Sequence, residues 1–436
     1  MIDLFCQFRD STCQTKPGRI ICYPDDLNQV MTMTALEGMR ILDMTQWEAG
    51  TSCTQALAWL GADVVKVEQP IVGDPGRGRI GGSTLDREYF VMWNSNKRSV
   101  TLDLNQENGR QLLLDMLPNY DVFIENYGPG VVEKLNIGYE VMKEINPSII
   151  YVRIKGFGTT GPYSGYKCMD MVAQAAAGAF SITGNPDGPP MRPGPTMADA
   201  GTGTQAALVV SAAYTQKLRT GEGQLIELSM QEAMTYYLRT AVSSTQYGKV
   251  PTPRTGNGSD PFMALYPCAP GGANDYVFIM AVNPRMWTAV CNVIGKPDLF
   301  DDERFKTRKD RYENREAMFE EIASWTRQHS KKDAMQMLAE AGICASQVYE
   351  TNDLFTDPHL LERDFVHEVE HADHGDIKLL GWPAKMSKSQ VAIQASPLLG
   401  EHTDEVMAED LGLEQKDIDA LRQEGAIGSE MIERGA

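Results

Sequence analysis

Residues 39–68, MRILDMTQWEAGTSCTQALAWLGADVVKVE, decide the fold that this sequence predicts. The apolar run at 39–44 predicts a short buried strand, residues 51–60 a helix with small and apolar faces, and residues 62–68 a second strand. Strand, helix and strand form a βαβ unit, which implies a parallel sheet with a right-handed crossover. The loop at 46–50 follows the first strand, on the edge where open parallel sheets bind ligands.

The same alternation of strands and helices continues as far as residue 200. The predicted strands span 99–104, 121–125 and 149–155, and the predicted helices span 107–117, 131–135 and 171–177. Four or five parallel strands before residue 200 give an open, doubly wound α/β sheet, which is a Rossmann-like arrangement. After residue 223, helices are separated by charged and Gly/Pro-rich connections, which indicates a smaller α+β domain.

A chain of 436 residues is long enough for two domains. We divide it into a poorly ordered N-terminal extension (1–33), the N-terminal part of the large Rossmann-like domain (34–224), a linker with the small α+β domain (225–350), and a return linker with the C-terminal part of the large domain (351–436).

Composition excludes several classes of protein. The formal charge of −19 opposes general binding to nucleic acids or anionic membranes, and no apolar run approaches the ~18 residues of a membrane span. The eight cysteines are scattered without a CxxC pair, which favours reduced thiols and a cytoplasmic location.

All six histidines lie at or after position 329, which excludes a catalytic histidine from the N-terminal half. His371 and His374 lack the further ligands that a metal site needs, so no metal is expected.

Residues 189–230, PPMRPGPTMADAGTGTQAALVVSAAYTQKLRTGEGQLIELSM, contain the candidate catalytic side chain. Asp199 stands where an irregular Pro/Gly approach meets an apolar run at 206–213 that is long enough for a helix. One hypothesis makes Asp199 the helix N-cap, because aspartate accepts backbone N–H bonds that lack partners there. The other makes it a nucleophile, because the small residues at 200–203 leave space above a carboxylate that helix-start amides hold as an anion. Spacing alone does not decide between them.

Residues 76–81, GRGRIG, fit the GxGxxG pattern of dinucleotide-binding loops. That fingerprint directly follows a strand and opens a helix, whereas a Pro/Gly-containing stretch separates this loop from the strand that ends at Glu68, and no helix is predicted after it. The alternative hypothesis of a nicotinamide-dependent oxidoreductase rests on this motif alone. The two arginines of the loop, with Lys97, Arg98 and Lys134, also fit a basic patch for a polyphosphate ligand, and scattered surface charge is the alternative.

Several ordered motifs resemble those of the class III coenzyme A transferases of the CaiB/BaiF type, with spelling closest to the formyl-CoA:oxalate CoA-transferases. The resemblance runs from residue 36 to residue 427 and is carried by LEGMRILDMT, GADVVKVEQP, NSNKRSVTLDL, VFIENYGPG, INPSIIYVRIKGFG, DMVAQAAAG, TGEGQLIELSMQEA and PLLGEHTDEV. It implies a ring-shaped subunit with a Rossmann-like large domain and a small α+β domain, and two such subunits interlocked as a homodimer.

The resemblance also implies a reaction and its site. An acyl-CoA and a small carboxylic acid are the substrates, no cofactor is tightly bound, and Asp199 is the nucleophile with Glu48 beside the reacting acyl group. The residues then expected to contact the coenzyme A thioester are Glu48, Ala49, Gln69, Leu102, Asp103, Leu104, Asn105, Asn126, Tyr127, Gly128, Lys134, Lys167, Cys168, Met169 and Asp170.

Three positions depart from the formyl-CoA:oxalate pattern. Glu48 stands in place of a glutamine, Gln69 in place of an arginine and Met169 in place of a tyrosine, and a four-glycine segment is replaced by Gly256-Asn257-Gly258. These differences point to a larger or chemically different acyl pair. An acyl-CoA racemase or isomerase of the same fold stays an alternative, although residues 167–169 hold no histidine where racemases carry one. A non-catalytic acyl-CoA-binding regulator is a third alternative, beside the racemase and the nicotinamide-dependent oxidoreductase.

Overall fold

The computed structural model describes residues 13–16, 19–22, 33–79, 85–258 and 261–428. Its strands are β1 (Cys13–Lys16), β2 (Arg19–Cys22), β3 (Arg40–Met44), β4 (Asp63–Glu68), β5 (Arg98–Thr101), β6 (Val122–Glu125), β7 (Ile150–Lys155), β8 (Gln224–Ser229), β9 (Met263–Pro267), β10 (Tyr276–Met280), β11 (Cys344–Gln347), β12 (Val366–His371) and β13 (Gly375–Leu380). Its α-helices are α1 (Ala49–Ala58), α2 (Glu88–Trp93), α3 (Glu107–Met116), α4 (Val131–Lys134), α5 (Tyr139–Ile145), α6 (Asp170–Ala177), α7 (Ala179–Ile182), α8 (Met197–Thr220), α9 (Met230–Tyr237), α10 (Arg239–Val242), α11 (Pro284–Val293), α12 (Arg308–Glu313), α13 (Arg315–Thr326), α14 (Lys331–Glu340), α15 (Pro358–Glu362), α16 (Thr403–Leu411) and α17 (Gln415–Gln423).

Six strands form one sheet in the order β5-β4-β3-β6-β7-β8, and every neighbouring pair is parallel. The predicted doubly wound parallel sheet is confirmed, with five of its strands before residue 200 and β8 as a sixth. The chain moves outwards from β3 to β5 and then returns to the other side of β3 with β6. Open sheets bind ligands beyond the carboxyl ends of the strands at such a reversal of strand order.

Successive apolar side chains of β3 enter two different cores. Ile41 belongs to a cluster with Leu57 of α1 and Val210 of α8. Leu42 belongs to a second cluster, which includes residues of α3 and of the C-terminal helices α16 and α17. Because neighbouring side chains of a strand point to opposite faces, helices cover both faces of the sheet, as a buried parallel sheet requires.

A third core lies between residues 264 and 343 and is built on the antiparallel sheet β11-β10-β9. Helices α11, α13 and α14 supply Trp287, Ile322 and Leu338 to it. The sequence predicted an α+β domain in this region. Strand β11, CASQ, escaped prediction because it is short and only partly apolar. The predicted domain boundaries stay a prediction. Within the predicted extension at 1–33, the structure describes only the antiparallel pair β1–β2 and residue 33.

Helices α1 and α8 lie in close contact because glycine occupies position 203. A Cβ atom at Gly203 would lie 2.0 Å from Ser52 Oγ and 2.7 Å from the carbonyl oxygen of Ala49. Real Cβ atoms essentially never approach other atoms so closely, so only glycine allows this spacing. The contact bears on the site, because Glu48 immediately precedes α1 and Asp199 lies one turn before Gly203 in α8.

We expect Gly203→Ala to lower the free energy of unfolding by about 2 kcal/mol. Alanine gains roughly 1 kcal/mol over glycine in helix propensity, but here the added methyl group overlaps a backbone carbonyl that cannot rotate away. Chemical denaturation followed by circular dichroism measures the change. Gly194→Ala is the matched control, because a Cβ atom there meets nothing within 4 Å. Equal stability of the two variants would contradict the predicted overlap.

Candidate active site

Two loops meet at the carboxyl ends of β3 and β6, where the strand order reverses. The Gln46 amide N–H donates to Asn126 Oδ1 and Asn126 Nδ2 donates to the Gln46 carbonyl oxygen, each over 2.8 Å. The Gln46 side chain also donates to the Tyr127 hydroxyl at 2.8 Å. These bonds tie the loop that carries Glu48 to the loop that follows β6.

Glu48 is held in a buried position immediately before α1. The residue before it, Trp47, has a φ of +60° and donates its backbone N–H to Asp74 Oδ1 at 3.1 Å. The Glu48 carboxylate accepts hydrogen bonds from the Thr196 and Tyr89 hydroxyls, the latter at 3.2 Å. Burial raises the pKa of Glu48, the two hydroxyls oppose that shift, and the negative charge of Asp170 adds to it.

Asp199 is the third residue of α8, and Thr196 is the N-cap. The N-cap hypothesis for Asp199 is therefore wrong. The amides of residues 198 and 199 donate instead to Asp170 Oδ1, at 2.9 and 3.0 Å. The capping carboxylate thus comes from α6, which lies elsewhere in the chain, and the Asp199 carboxylate is left free of that task.

The Asp199 side chain is partly buried among negative charges. Burial raises its pKa to about 7, and the charges of Glu48 and then Asp170 add to the shift. Among the residues that the structure describes, no hydrogen-bond donor opposes this rise. Such a carboxylate is more basic than an ordinary aspartate and poorly solvated, which are properties of an activated oxygen nucleophile.

Asp170 and Cys168 complete the surroundings of Asp199. Gln174 Nε2 donates to Asp170 Oδ2 at 2.6 Å and to the Pro195 carbonyl oxygen at 2.9 Å, which ties α6 to the approach to α8. Burial and then the Asp199 charge raise the pKa of the half-buried Cys168 thiol to about 11. At neutral pH this thiol is uncharged, so it adds no further negative charge to the site.

Sequence reasoning missed the two hydroxyls that hold Glu48. Thr196 lies three residues before Asp199, in a stretch that was already singled out, but nothing in its spacing points to Glu48. Tyr89 lies in α2, whose short sequence EYFVMW suggests only a buried element. Both contacts are tertiary, so no local pattern contains them.

The basic patch predicted from the loop at 76–81 and from Asn96–Ser99 is wrong for four of its cations. Their ion pairs with carboxylates join Arg77 to Glu68 and Asp86, Arg79 to Asp86, Lys97 to Asp43, and Arg98 to Asp63, Glu405 and Glu409. Arg77 and Lys97 are buried, and burial of an unpaired cation would be prohibitive. Several of the acidic side chains of the protein therefore form ion pairs with these four cations. Lys134 is the one cation of the predicted patch that is exposed.

The GxGxxG segment does not have the geometry of a dinucleotide fingerprint. Residues Pro75–Arg77 form a single 3-10 turn capped by Asp74, with no α-helix start at Gly76 or Gly78. Residues 80 and 81 of the pattern lie outside the described residues. The loop is held by the ion pairs of the buried Arg77 with Glu68 and Asp86.

The residues that the resemblance assigns to coenzyme A lie along one edge of the sheet. They follow the carboxyl ends of neighbouring strands or surround the start of α6: Glu48 and Ala49 after β3, Gln69 after β4, Leu102 to Asn105 after β5, Asn126 to Gly128 and Lys134 after β6, and Lys167 to Asp170. Gln69, Lys134 and Lys167 are exposed, whereas Ala49 and Leu102 are buried. That these residues bind coenzyme A stays a prediction.

Neither a metal centre nor a membrane helix is found in the described part of the chain. No three His, Cys, Asp or Glu side chains within the described ranges are placed to hold an ion. His371 instead pairs with Ser396 at 3.2 Å, and His374 Nε2 donates to the Asp86 carbonyl oxygen at 2.8 Å. No described helix is long and apolar enough to cross a bilayer.

The raised pKa of Asp199 predicts a pH-dependent cost in stability. The folded protein holds this proton up to about pH 7, whereas an ordinary aspartate releases it near 3.8. The contribution of Asp199 to stability is therefore present below pH 4 and is lost as the pH rises towards 7.

We expect the uncharged variant Asp199→Asn to exceed the wild type in free energy of unfolding at pH 8 by on the order of 2 kcal/mol, after allowance for partial exposure. At pH 4 the two proteins should differ little. Denaturant titration at both pH values measures the difference, with the exposed Asp187→Asn as control. If the variant were less stable than the wild type at pH 8, the surroundings of Asp199 would not disfavour its ionised form, and the prediction would be wrong.

Comparison with known proteins agrees with the motifs. A family model described as CoA-transferase family III matches residues 36–403. The chain is 39% identical over 414 residues to a formyl-CoA:oxalate CoA-transferase of Streptomyces coelicolor, covering 91% of this chain and 100% of the relative. It is 37% identical over 416 residues to one of Rhodopseudomonas palustris, covering 90% and 97%. The crystal structure of a CaiB/BaiF family protein from Brucella suis matches with a TM-score of 0.78 at 30% identity, covering 87% of this chain and 100% of that one. The resemblance read from the motifs is confirmed, and the chain belongs to CoA-transferase family III, as an enzyme that transfers coenzyme A.

Proposed function

We propose that this enzyme moves coenzyme A from an acyl-CoA donor to a carboxylic acid through a covalent intermediate on Asp199. The observation that carries the proposal is the Asp199 carboxylate itself. It is partly buried at the start of α8 with a pKa of about 7, beside Glu48 and Asp170. The names of the relatives, formyl-CoA:oxalate CoA-transferases, support a thioester and a free acid as the two substrates.

The first half of the reaction loads coenzyme A onto the protein. An Asp199 oxygen attacks the thioester carbonyl carbon, the C–S bond breaks, and a mixed anhydride and the coenzyme A thiolate result. The thiolate then attacks the aspartyl carbonyl carbon. The donor acid leaves as its carboxylate, and an aspartyl–CoA thioester remains.

The second half repeats these steps with the acceptor acid. Its carboxylate attacks the aspartyl thioester, the thiolate leaves, and an anhydride between the acceptor and Asp199 forms. The thiolate then attacks the acyl carbon of the acceptor, which yields the new acyl-CoA and restores the Asp199 carboxylate. No step transfers a proton, so no general base is needed. This agrees with the sequence, which has no histidine before position 329.

The neighbouring carboxylates favour the covalent states. Acylation converts the Asp199 anion into an uncharged group, which removes its repulsion by Glu48 and Asp170. Burial has the same direction of effect, because the anion loses solvation that the uncharged acyl group does not need. We expect Glu48, held by Thr196 and Tyr89, to lie against the reacting acyl group, and coenzyme A to extend along the carboxyl edge of the sheet.

We propose further that the enzyme is a cytoplasmic homodimer of interlocked ring-shaped subunits. Large apolar side chains are exposed on α8 to α10, where Leu208 and Leu218 are each 70% exposed and Tyr236 and Val242 are at least half exposed. Exposed apolar surface of this extent marks interfaces between proteins. Native mass spectrometry should give twice the mass of the chain, and a monomer at micromolar concentration would contradict the dimer.

A matrix of acyl-CoA donors against free carboxylic acids tests the proposed reaction. Mass spectrometry should detect the new acyl-CoA for at least one pair, and hydroxylamine added during turnover should leave a hydroxamate at Asp199. Without any transfer or hydroxamate, the proposed function fails. Solvent deuterium at the α-carbon of an acyl-CoA, without transfer, would identify a racemase instead.

A further inference from the structure

A cavity of about 540 Å³ opens between α1, α2, α8 and the segment after β13. Its walls include Ala200 and Thr204 of α8 and Tyr89 of α2. The volume falls within the roughly 300–1,000 Å³ of small-molecule pockets. The cavity therefore has room for a good deal more than a one- or two-carbon acid.

The cavity lies next to the residues that neighbour the proposed catalytic carboxylates, although neither Glu48 nor Asp199 lines it. Ala200 follows Asp199 directly in α8, and the Tyr89 hydroxyl in the cavity wall donates to Glu48 Oε2 at 3.2 Å. Burial raises the pKa of Tyr89, and the charges of Glu48 and then Asp199 add to this shift, so both carboxylates lie within electrostatic reach of the wall. Through Ala200 and Tyr89, the cavity adjoins the place where we expect a carbonyl to meet Asp199.

The lining is largely apolar. It includes the indoles of Trp59, Trp93 and Trp382 and the side chain of Met92. Two polar groups at the wall are already engaged: Trp59 Nε1 donates to Asn96 Oδ1 at 3.0 Å, and the Gln55 amide donates to the Met92 carbonyl oxygen at 2.7 Å. The Trp382 indole N–H is buried without a partner among the residues that the structure describes.

Charge in the cavity selects against a second carboxylate. Among the described residues that line it, none is Lys, Arg or His, and Glu88 lies at its wall. An acid with two carboxylates, such as oxalate, would bring an unpaired anion next to Glu48 and into apolar surroundings. Such a charge is costly to bury without a cation.

We propose that the acid handled by this enzyme is a monocarboxylic acid with an apolar alkyl or aryl tail, and that the tail occupies this cavity while the carboxyl carbon meets Asp199. The inference rests on the proposed function, because it assigns a substrate class to the same site. It departs from the names of the relatives, which specify formyl and oxalate substrates. It agrees with Glu48, Gln69 and Met169, which depart from the formyl-type pattern.

Exchange between each acyl-CoA and its own isotope-labelled free acid tests the tail directly, because no second acid is needed. We expect kcat/KM to rise about threefold to fourfold for each methylene buried between butyrate and hexanoate. Phenylacetyl-CoA should exceed oxalyl-CoA at least tenfold. Fastest exchange with oxalyl- or formyl-CoA and no dependence on tail length would overturn the inference while leaving the transferase intact. No exchange with any acid, and no hydroxamate at Asp199, would overturn the proposed function itself.

A filled cavity provides the second measurement. Thr204→Phe places a ring in the cavity from the exposed side of α8, and the ratio of phenylacetyl to butyryl exchange should fall at least tenfold. Thr215→Phe is the matched control, because it places the same ring on an exposed position three turns later in α8. A ratio unchanged in Thr204→Phe, or lowered equally in both variants, would contradict the placement of the tail.

Discussion

Replacing Asp199 with alanine is expected to lower coenzyme A transfer by on the order of 10⁴-fold or more, because the covalent route has no other oxygen nucleophile. The nearby carboxylates do not substitute for it. Glu48 is held by two hydroxyls, and Asp170 is occupied by two backbone amides and the Gln174 side chain. Mass-spectrometric assay of transfer, with hydroxylamine trapping, measures both the rate and the lost intermediate.

Binding of coenzyme A separates this loss from a general defect. Calorimetric titration of Asp199→Ala with free coenzyme A should give an affinity within about threefold of the wild type, a difference below 1 kcal/mol, since the residues expected at the carboxyl edge are unchanged. The exposed Asp187→Ala controls for removal of a carboxylate in the same region of sequence. Transfer by Asp199→Ala at a hundredth of the wild-type rate would place the nucleophile elsewhere.

Transfer by the wild-type enzyme should fall about a hundredfold between pH 8 and pH 5. Only the ionised carboxylate attacks, and the pKa of Asp199 is about 7, so at pH 5 about one molecule in a hundred is reactive. An ordinary aspartate, with its pKa near 3.8, would remain ionised over the same interval. A profile of kcat/KM from pH 5 to pH 9 measures the position of this acid limb.

Glu48→Gln should move the acid limb of that profile to lower pH. The variant keeps the shape of the side chain but removes a negative charge that raises the pKa of Asp199. Burial is the larger cause and remains, so the midpoint should fall part of the way towards 3.8 and not reach it. The exposed Glu107→Gln is the control. An unmoved midpoint in Glu48→Gln would show that the two carboxylates do not interact.

The part of the fold that local pattern dictates was predictable. Strands β3, β4 and β7 are rich in apolar residues and buried on both faces, and α1 separates β3 from β4 by the expected helical length. The parallel sheet and its ligand-binding edge follow from these elements. The strand predicted at 99–104 ends early, at Thr101, because the chain turns at residues 103–106. There the Asp103 carbonyl oxygen accepts from the Gln106 amide at 3.0 Å and the Asp103 carboxylate accepts from the Asn105 amide at 3.1 Å.

What local pattern could not supply was the identity of distant partners. Asp199 has the residue type of an N-cap, yet α8 starts earlier and a carboxylate 29 positions away accepts its first amides. Lys97 resembles a surface cation in sequence, yet it is buried against Asp43, 54 positions earlier. A side chain that can cap a helix or bind an anion does so only if tertiary structure has not already provided a partner.

The tight passage between α1 and α8 restricts how this enzyme can acquire new substrates. Gly203 and Gly50 contact no substrate in the proposed reaction, yet a side chain at either position would collide with Ala49 and Ser52 or with Thr45. Saturation libraries should therefore keep both glycines and vary residues that line the cavity, such as Met92 of α2 and Thr204 of α8. The library then varies only positions that shape the cavity for the substrate tail. Every variant in it keeps the spacing between Glu48 and Asp199.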